Sequence, residues 1–484
     1  MAEAITKKSR FPKSIPYIIG NEAAERFSFY GMKTLLATFF VHQFLMSDAQ
    51  SNAKTHLFIS ITYLMSILGG VLADWYLGKY KTIFWLSLLY CVGHAFLSAF
   101  DTQLNLFMLG LLFITIGAGG IKPCVSANVG DQFDHTNQDL ISKMFNWFYF
   151  AINAGSTVST LLTPILMLEY GASVAFGVPG ILMALATFVF WLGRKKYVYV
   201  PPSGYVAANF IAINFYALFN PSKKKEKGES WLDAAKTKFS DESVENMKAV
   251  WSALAVFAFF PIFWALYDQN GSEWVLQATK MNLHFMGYTW LPEQIQAINP
   301  ILILAFIPLF SYLIYPAVEK LGIKVTPLRK IGAGLVVMAI TFMVIASIQT
   351  KIDAGGQPNI VWQLLAYTLL TASEIMVSIT GLEYAYTQAP KSMKSTIMAF
   401  FLATVFVGDM FDTLVNMSVS KTGWLSSFAD AKGMENAKFY WFFFIILSAF
   451  TLLFIIVSKN IKEKSYLIDD PNLVPAEIDS AEHH

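Results

Sequence analysis

Four charged residues lie close together in an otherwise apolar segment near the N-terminus: Glu22, Glu25, Arg26 and Lys33. At ~100° per residue, Glu22, Arg26, Phe29 and Lys33 would fall within roughly 60° of one another on a helix. Each charge at the centre of a bilayer costs about 2.5–3.5 kcal/mol on insertion scales, so charges in a spanning helix indicate a function. Such a helix can turn its charged face towards a polar cavity and its other faces towards lipid or protein. The pattern predicts a membrane transporter with a charged central site.

Three further polar side chains would lie at membrane depth. Lys122 stands beside Pro123, which distorts a helix. It could attract a substrate carboxylate, neutralise an internal acid or extend to the inner surface. Glu374, near the middle of a later apolar segment, could bind an ammonium group or a proton. Asn153 could donate a hydrogen bond to a substrate amide or to a neighbouring helix.

Three ionisable groups suggest a gate and a proton site. Asp268 and Lys33 would both lie in the outer half of the membrane, where an ion pair between them would hold an outer gate shut. Protonation of Asp268 would release that pair and bias a two-state carrier. His56 could exchange protons near physiological pH, or could be an ordinary surface residue at a helix end. Asp409 and Asp412 are further intramembrane acids to which the sequence assigns no role.

Composition indicates an integral membrane protein, with 55% hydrophobic residues and 14% charged residues against about 25% charged in soluble domains. Apolar segments of about the ~20 residues that a bilayer requires occur twelve times. The first six segments are 16–46, 55–76, 82–100, 105–128, 142–168 and 174–193. The second six are 248–278, 294–316, 331–350, 361–389, 395–419 and 438–458. We therefore predict an all-α membrane protein with twelve transmembrane helices in two six-helix bundles and a site between the bundles.

Most of the 35 Lys and Arg residues fall on one side if the N-terminus is cytoplasmic, which predicts that both termini are cytoplasmic. We expect the protein in a bacterial inner membrane as a monomer. The predicted domains are an N-terminal bundle (1–193), a cytoplasmic linker (194–247), a C-terminal bundle (248–464) and a tail (465–484). An amphipathic helix is expected at 231–250, beginning in the second part of the linker. Residues 205–219 would lie on the membrane surface. A thirteenth span there would invert the orientation of the second half in the membrane and break the charge bias.

Other classes of protein are less compatible with the chain. It has no Gly-rich phosphate loop, no nucleophile–base set and no repeated pore motif, so ATP drive, an enzyme and a channel are disfavoured. We expect no cofactor, no bound metal and no nucleic-acid partner. The remaining histidines considered show no metal-ligand spacing: His42, His94, His135 and His284. Cys91 and Cys124 are interpreted as small buried apolar residues.

The segment 69–81 carries the pattern G-x-L-A-D…G-x-x-K between the second and third spans. It resembles the loop signature of the major facilitator superfamily. Its Asp74 could cap a neighbouring helix and pair with basic residues, acting as an intracellular gate latch. The alternative is an ordinary polar loop.

Three motifs together resemble the proton-dependent oligopeptide transporter (POT) family. They are E-x-x-E-R-F-x-x-Y-G at 22–31, G-x-G-G-I-K-P-x-V-S at 117–126 and F-Y-x-x-I-N-x-G at 148–155. The resemblance extends from about residue 19 to residue 389 and implies a major facilitator fold that imports di- and tripeptides together with protons. A same-fold carrier of nitrate or another small anion is the alternative, although such relatives often lack the first motif.

The resemblance implies roles for individual residues. The contacts to the peptide termini would be Arg26 and Lys122 at the carboxylate and Glu374 at the amino group. The contacts to the peptide backbone would be Asn153 and Asn299. The lining of the side-chain pockets would include Tyr30, Tyr63 and Trp264. The candidates for proton coupling would be Glu22, Glu25, His56 and Asp268.

Four positions depart from the family pattern. Phe29 replaces a frequent tyrosine and removes one hydroxyl from the predicted pocket. Lys33 stands where arginine is common, which gives a point charge in place of a bidentate fork. Asp268 is one methylene shorter than the usual glutamate, and Glu273 stands where animal members carry a basic residue.

Overall fold

A computed structural model describes residues 10–133, 137, 140–202, 210–220, 230–387, 394–420, 436–459 and 461. The predicted tail at 465–484 and His135 lie outside the described residues. The described part of the chain is helical apart from its connections and one short hairpin. The hairpin pairs two antiparallel strands of two residues each, β1 (His284–Phe285) and β2 (Tyr288–Thr289).

The first half contains six long helices. They are α1 (Ile15–Phe44), α2 (Asp48–Leu72), α3 (Lys79–Ala99), α4 (Leu104–Gly130), α5 (Ile141–Tyr170) and α6 (Ala172–Leu192). A capping box formed by Ser47 and Gln50 starts α2, because the side chain of each accepts a backbone N–H of the other. After Leu72 the chain continues as a π-helical turn, Ala73–Leu77. Gly78 and Gly171, both with positive φ, end the connections to α3 and α6.

The connecting region and the second half contain shorter pieces. They are α7 (Phe210–Phe219), a 3₁₀ turn (Trp231–Thr237), α8 (Asp241–Phe257), α9 (Phe260–Asp268) and α10 (Glu273–Ala278). The next pieces are a 3₁₀ turn (Pro292–Ala297), α11 (Ile298–Leu309), a π turn (Phe310–Ile314) and α12 (Tyr315–Lys320). The last are α13 (Pro327–Asp353), α14 (Val361–Glu374), a π turn (Ile375–Ile379), α15 (Thr380–Thr387), α16 (Lys394–Ser420) and α17 (Ala437–Ser458).

The membrane-length helices agree with the predicted spans. Among the described residues ten are long and apolar enough to cross a membrane, and α8 with α9 forms an eleventh that bends by 44°. Helix α1 has 30 residues, or ~45 Å at ~1.5 Å per residue, which exceeds the ~30 Å of a hydrocarbon core. Its charged residues, rather than its length, separate it from the apolar helices. Adding α1 gives the twelve predicted spans.

The region before the seventh span differs in detail from the prediction. The amphipathic helix expected at 231–250 is divided, because Ser240 caps a new helix by accepting the backbone N–H of Ser243. The seventh span itself is interrupted near Phe259, beside Pro261 in the first turn of α9, and again at Ser272. The described helix α7 spans only ~15 Å, too short to cross a bilayer.

Buried apolar side chains form two large clusters. One is built from residues between Ile15 and Tyr197, and the other mainly from residues between Ile213 and Phe454. Ala49 at the start of α2 belongs to the second cluster, so α2 packs into both halves. The charged residues of α1 therefore lie beside the junction of two separately packed cores.

Glycines allow α4 to approach α2 closely. A Cβ atom on Gly119 would overlap the carbonyl oxygen of Thr62 and lie 2.6 Å from Cβ of Met65. Gly120 packs against Gly69 in the same contact. This approach places Lys122, two residues further along α4, against α2.

We expect Gly119→Ala to destabilise the protein by about 1–3 kcal/mol, because the added methyl group must push α2 and α4 apart. A thermal-unfolding measurement in detergent should show a fall of several degrees. Gly70→Ala is the matched control, since its new Cβ would meet nothing closer than Pro123 at 3.9 Å. Equal unfolding temperatures for the two variants would contradict the role of this contact.

Candidate functional site

A cation held by two acids lies in the middle of α1. Arg26 donates from Nε to Glu22 Oε1 at 2.7 Å and lies 3.2 Å from Glu25 Oε2. Both glutamates are buried, while Arg26 is partly accessible. The two contacts use Nε, which leaves the outer edge of the guanidinium available for an anion.

Lys122 lies next to two aromatic rings of the same half. Its Nζ is 4.0 Å from the centre of the Phe29 ring and 4.9 Å from that of Tyr63. Phe29 stacks on Phe58 at 5.9 Å, so the residue that departs from the family pattern provides a ring face for the lysine. Within the described residues no carboxylate lies within 4 Å of this ammonium group. The site thus holds a half-buried lysine that lacks a carboxylate partner within 4 Å in the described part of the chain.

An acid lies on the opposite half. Glu374, the last residue of α14, accepts a hydrogen bond from Asn299 Nδ2 at 2.8 Å, and the same amide also donates to Thr371 Oγ1 at 3.1 Å. Tyr267 donates to Asn299 Oδ1 at 3.4 Å. The helix widens into a π turn directly after Glu374, a distortion that is frequent at functional sites. Tyr267 was not among the predicted site residues, although it lies one turn after Trp264.

Two predicted pocket residues, Tyr30 and Trp264, and one predicted backbone contact, Asn153, belong to the same region of the two halves. Tyr30 lies one helical turn after Arg26 on α1, and its ring packs edge-on against that of Phe29 at 5.6 Å. Trp264 donates to Thr404 Oγ1 at 3.1 Å and packs edge-on against the Tyr267 ring. The amide of Asn153 instead donates within its own helix, to the carbonyl of Tyr149 at 2.9 Å.

The predicted ion pair between the halves is present. Lys33 Nζ donates to Asp268 Oδ1 at 2.8 Å, with the two side chains 12% and 6% exposed. Lys280 and Asp48 form a second, more exposed pair at 3.4 Å. Further hydrogen bonds between the halves run from Ser60 Oγ to the carbonyl of Phe406 and from Gln294 to that of Leu161. These contacts lie from mid-membrane towards the end where α1 finishes and α2 begins.

His56 is buried, which excludes the surface interpretation of this residue. Its Nδ1 lies 3.1 Å from Asp409 Oδ1, and its Nε2 lies 3.0 Å from Glu273 Oε2 and 3.1 Å from Asp412 Oδ2. Ser272 Oγ contacts both Nε2 and Glu273. One histidine from the first half is thus enclosed by three carboxylates from the second.

Sequence reasoning named the four ionisable residues of this cluster but did not bring them together. Asp409, Asp412 and Asn416 follow one another at i, i+3 and i+7, which places them on one face of α16. Asn416 Nδ2 lies 3.0 Å from Glu273 Oε1 and 3.1 Å from Asp412 Oδ1. The helical spacing was a usable signal for a shared polar face, but it did not identify the histidine that this face contacts.

The cluster also bears on metal binding, which we did not expect. One ligand atom from each of His56, Glu273 and Asp412 can be chosen so that all three lie within 4.8 Å of one another. Their positions on three separate helices explain why sequence spacing gave no metal signature. Histidine nitrogen together with carboxylate oxygen is a donor set used by several divalent ions.

Asp74 lies away from these groups, in the π-helical turn between α2 and α3. The residue that caps α3 is Gly78, and no side chain accepts a hydrogen bond at that cap. Nearby, Lys79 Nζ donates to Asp131 Oδ2 at 2.6 Å, which ties this loop to the end of α4.

Two helical halves that meet around mostly buried, opposed charges have the architecture of the major facilitator type. The family model described as "POT family" matches residues 80–428, and the chain belongs to that family. It is 39% identical over 393 residues to solute carrier family 15 member 2 of Oryctolagus cuniculus, covering 77% of this chain and 54% of that protein. It is 40% identical over 363 residues to peptide transporter family 1 of Drosophila melanogaster, covering 72% and 49%. The chain thus spans about half the length of the curated relatives it matches.

The fold agrees with that of a solved family member. The crystal structure of the POT family transporter PepTSo superposes with a TM-score of 0.87 at 37% identity, covering 93% of this chain and 98% of the other. The predicted major facilitator fold is therefore confirmed.

Proposed function

We propose that the protein is a proton-coupled symporter that imports di- and tripeptides by alternating access. The observation that carries the proposal is the opposition of charges across the two halves. Arg26 and Lys122 lie on the first half, and Glu374 lies on the second. The similarity to a protein named as a peptide transporter supports the same substrate class.

A peptide matches this distribution of charge whatever its side chains are. Its carboxylate would bind Arg26 and Lys122, and its ammonium group would bind Glu374. Asn153 and Asn299 would bind the backbone amides between the two ends. Such a site recognises the termini and tolerates variation in the middle.

Aromatic side chains would provide the space for that variation. Tyr30, Tyr63 and Trp264 would line the side-chain pockets, as the family resemblance implies. Tyr267 joins them in our proposal because it packs against Trp264 and bonds Asn299, which bonds Glu374. An anion such as nitrate has no ammonium group and would gain nothing from Glu374, so this alternative is not favoured.

Protons would couple through acids and a histidine near the contact between the halves. The candidates remain Glu22, Glu25, His56 and Asp268. Protonation of Asp268 would remove the partner of Lys33 and weaken the outer contact, which lets a proton bias the equilibrium between two states. A zwitterionic peptide that crosses with one proton carries net positive charge, so a membrane potential contributes about 2.3 kcal/mol per 100 mV.

The proposed orientation places both termini in the cytoplasm and the Lys33–Asp268 pair on the outer side. The contacts between the halves then correspond to an outward-closed state, with Asp74 as part of an intracellular gate. The domain limits 1–193, 194–247, 248–464 and 465–484 remain proposals, as do the monomeric state and the bacterial inner membrane. The proposed transport cycle uses no cofactor.

Uptake of labelled dialanine into proteoliposomes tests this function. With an inward proton gradient and an interior-negative potential, we expect accumulation above equilibrium that an uncoupler abolishes. The contrary outcome is that the protein takes up no peptide even though a thermal-shift measurement shows that it is folded. If di- and tripeptides also failed to stabilise it, the peptide assignment would be refuted.

A further inference from the structure

The buried cluster around His56 brings three carboxyl groups to one histidine. Helix α2 contributes His56, α10 contributes Glu273, and α16 contributes Asp409 and Asp412. All four side chains are at most 2% exposed. Burial of three ionised carboxylates around one histidine is costly, so the cluster should either take up protons or bind a metal cation.

We propose that His56 Nε2, Glu273 and Asp412 form a binding site for one divalent transition-metal ion, with zinc as the best match. The three ligands come from both halves of the transporter. A bound ion would therefore fasten the halves together on the predicted outer side. This site is separate from the peptide-binding charges at Arg26, Lys122 and Glu374. It shares His56 with the proposed proton-coupling groups, so a bound ion would also block proton exchange at Nε2 of this histidine.

The contacts of His56 are those of a metal-binding histidine. Its Nδ1 lies 3.1 Å from Asp409 Oδ1, so a proton on Nδ1 would be donated to this carboxylate. Metal-binding histidines usually donate their second ring N–H in this way, which fixes the tautomer and the ring orientation. Nε2 then faces Glu273 Oε2 and Asp412 Oδ2, and these two acceptors repel its lone pair unless a proton or a metal ion lies between them.

Asn416 orients both carboxylates towards the same point. Its Nδ2 lies within hydrogen-bond distance of Glu273 Oε1 and Asp412 Oδ1, which leaves the other oxygen of each acid facing Nε2. Asp412 Oδ2 is buried and has no hydrogen-bond partner in the described part of the chain. A buried carboxylate oxygen that lies 3.1 Å from a histidine nitrogen, but makes no hydrogen bond in the described part of the chain, is the second observation that points to a ligand.

The distances suit zinc with a small adjustment. Nε2 lies 3.0 Å and 3.1 Å from the two carboxylate oxygens. Tetrahedral zinc with bonds of ~2.1 Å separates its ligands by ~3.4 Å, so each nitrogen–oxygen separation must widen by a few tenths of an ångström to admit the ion. All three ligand atoms can be chosen within 4.8 Å of one another. Ser272 Oγ, 2.9 Å from Nε2, or a water molecule could supply the fourth ligand.

Cobalt(II) tests the site directly, because it replaces zinc and absorbs visible light when tetrahedrally bound. The full chain would carry His483→Ala and His484→Ala, since the terminal histidine pair could bind cobalt by itself. We expect one cobalt ion per chain, displaced by zinc. Asp412→Asn and Glu273→Gln should each weaken binding at least ~10-fold, the lower end of what loss of a metal-site group costs.

Glu293→Gln is the matched control, because it removes an acid from the turn before α11 and should leave cobalt binding unchanged. Thermal unfolding without metal establishes that each variant is folded. Folded parent protein that binds no cobalt would overturn the proposal. Binding of equal strength in parent, Asp412→Asn and Glu273→Gln would overturn it as well, because the ion would then lie elsewhere.

A measurement of conformation distinguishes an ion that holds the two halves together from an ion that binds without doing so. Ala49 is 1% exposed and packs into the core of the second half, so Ala49→Cys reports opening of the outer side. Zinc at 100 times its Kd should slow maleimide labelling of this cysteine by up to ~100-fold. The slowing should disappear in Asp412→Asn; unchanged labelling of the parent would refute the fastening role.

Discussion

Glu374→Gln is expected to reduce proton-driven uptake of dialanine at least ~30-fold, because the variant keeps the shape of the side chain and loses the charge that binds the peptide ammonium group. Removing one partner of a buried charge pair at an interface costs about 2–5 kcal/mol, which corresponds to roughly 30-fold or more. Initial rates of uptake into proteoliposomes over a range of dialanine concentrations would measure the effect.

A modified substrate makes this prediction specific. N-acetyl-dialanine has no ammonium group, so the parent protein should transport it poorly. Glu374→Gln should discriminate between the two peptides far less than the parent does, since the group that senses the difference is gone. A loss of uptake with undiminished discrimination would mean that Glu374 acts elsewhere in the cycle.

Glu383→Gln is the matched control for Glu374→Gln. It lies nine residues further along the same span, its side chain is 53% exposed, and its ion pair with Lys330 is long at 3.9 Å. Exposed pairs of this kind contribute about 0–1 kcal/mol, so uptake should change less than ~5-fold. An equal loss in both variants would indicate a general defect of the span.

Asp268→Asn is expected to open the outer contact and abolish accumulation of peptide against its gradient. The substitution leaves Lys33 buried without its anion, and breaking a buried ion pair in this way costs about 3–5 kcal/mol. That cost applies to the outward-closed state, so the population should shift towards states in which Lys33 reaches water. Labelling of Ala49→Cys by an impermeant maleimide should accelerate at least ~10-fold.

Two variants control this experiment. Lys33→Ala combined with Asp268→Ala removes both charges and leaves no uncompensated ion, so its labelling rate should return towards that of the parent. Asp131→Asn breaks the pair with Lys79, which joins parts of the same half, and should leave the labelling rate unchanged. If Asp268→Asn is labelled no faster than the parent, the pair does not hold the outer side closed.

The sequence alone determined the elements and the charged residues that had to face inwards. Apolar segments of bilayer length predicted the spans, because a chain in lipid must satisfy its backbone hydrogen bonds within helices. The cost of burying Lys33 and Asp268 at similar depth predicted that they would pair. Both inferences rest on local composition and on depth in the membrane, which can be read along one chain.

The tertiary structure decided which distant groups meet. His56 lies 217 positions from Glu273 and 353 from Asp409, and only the packing of α2 against α16 brings them together. The helical face formed by Asp409 and Asp412 was visible in the sequence, but its partner was not. Helical periodicity specifies the direction of a side chain from its own helix axis, whereas contacts between helices depend on how all the helices pack.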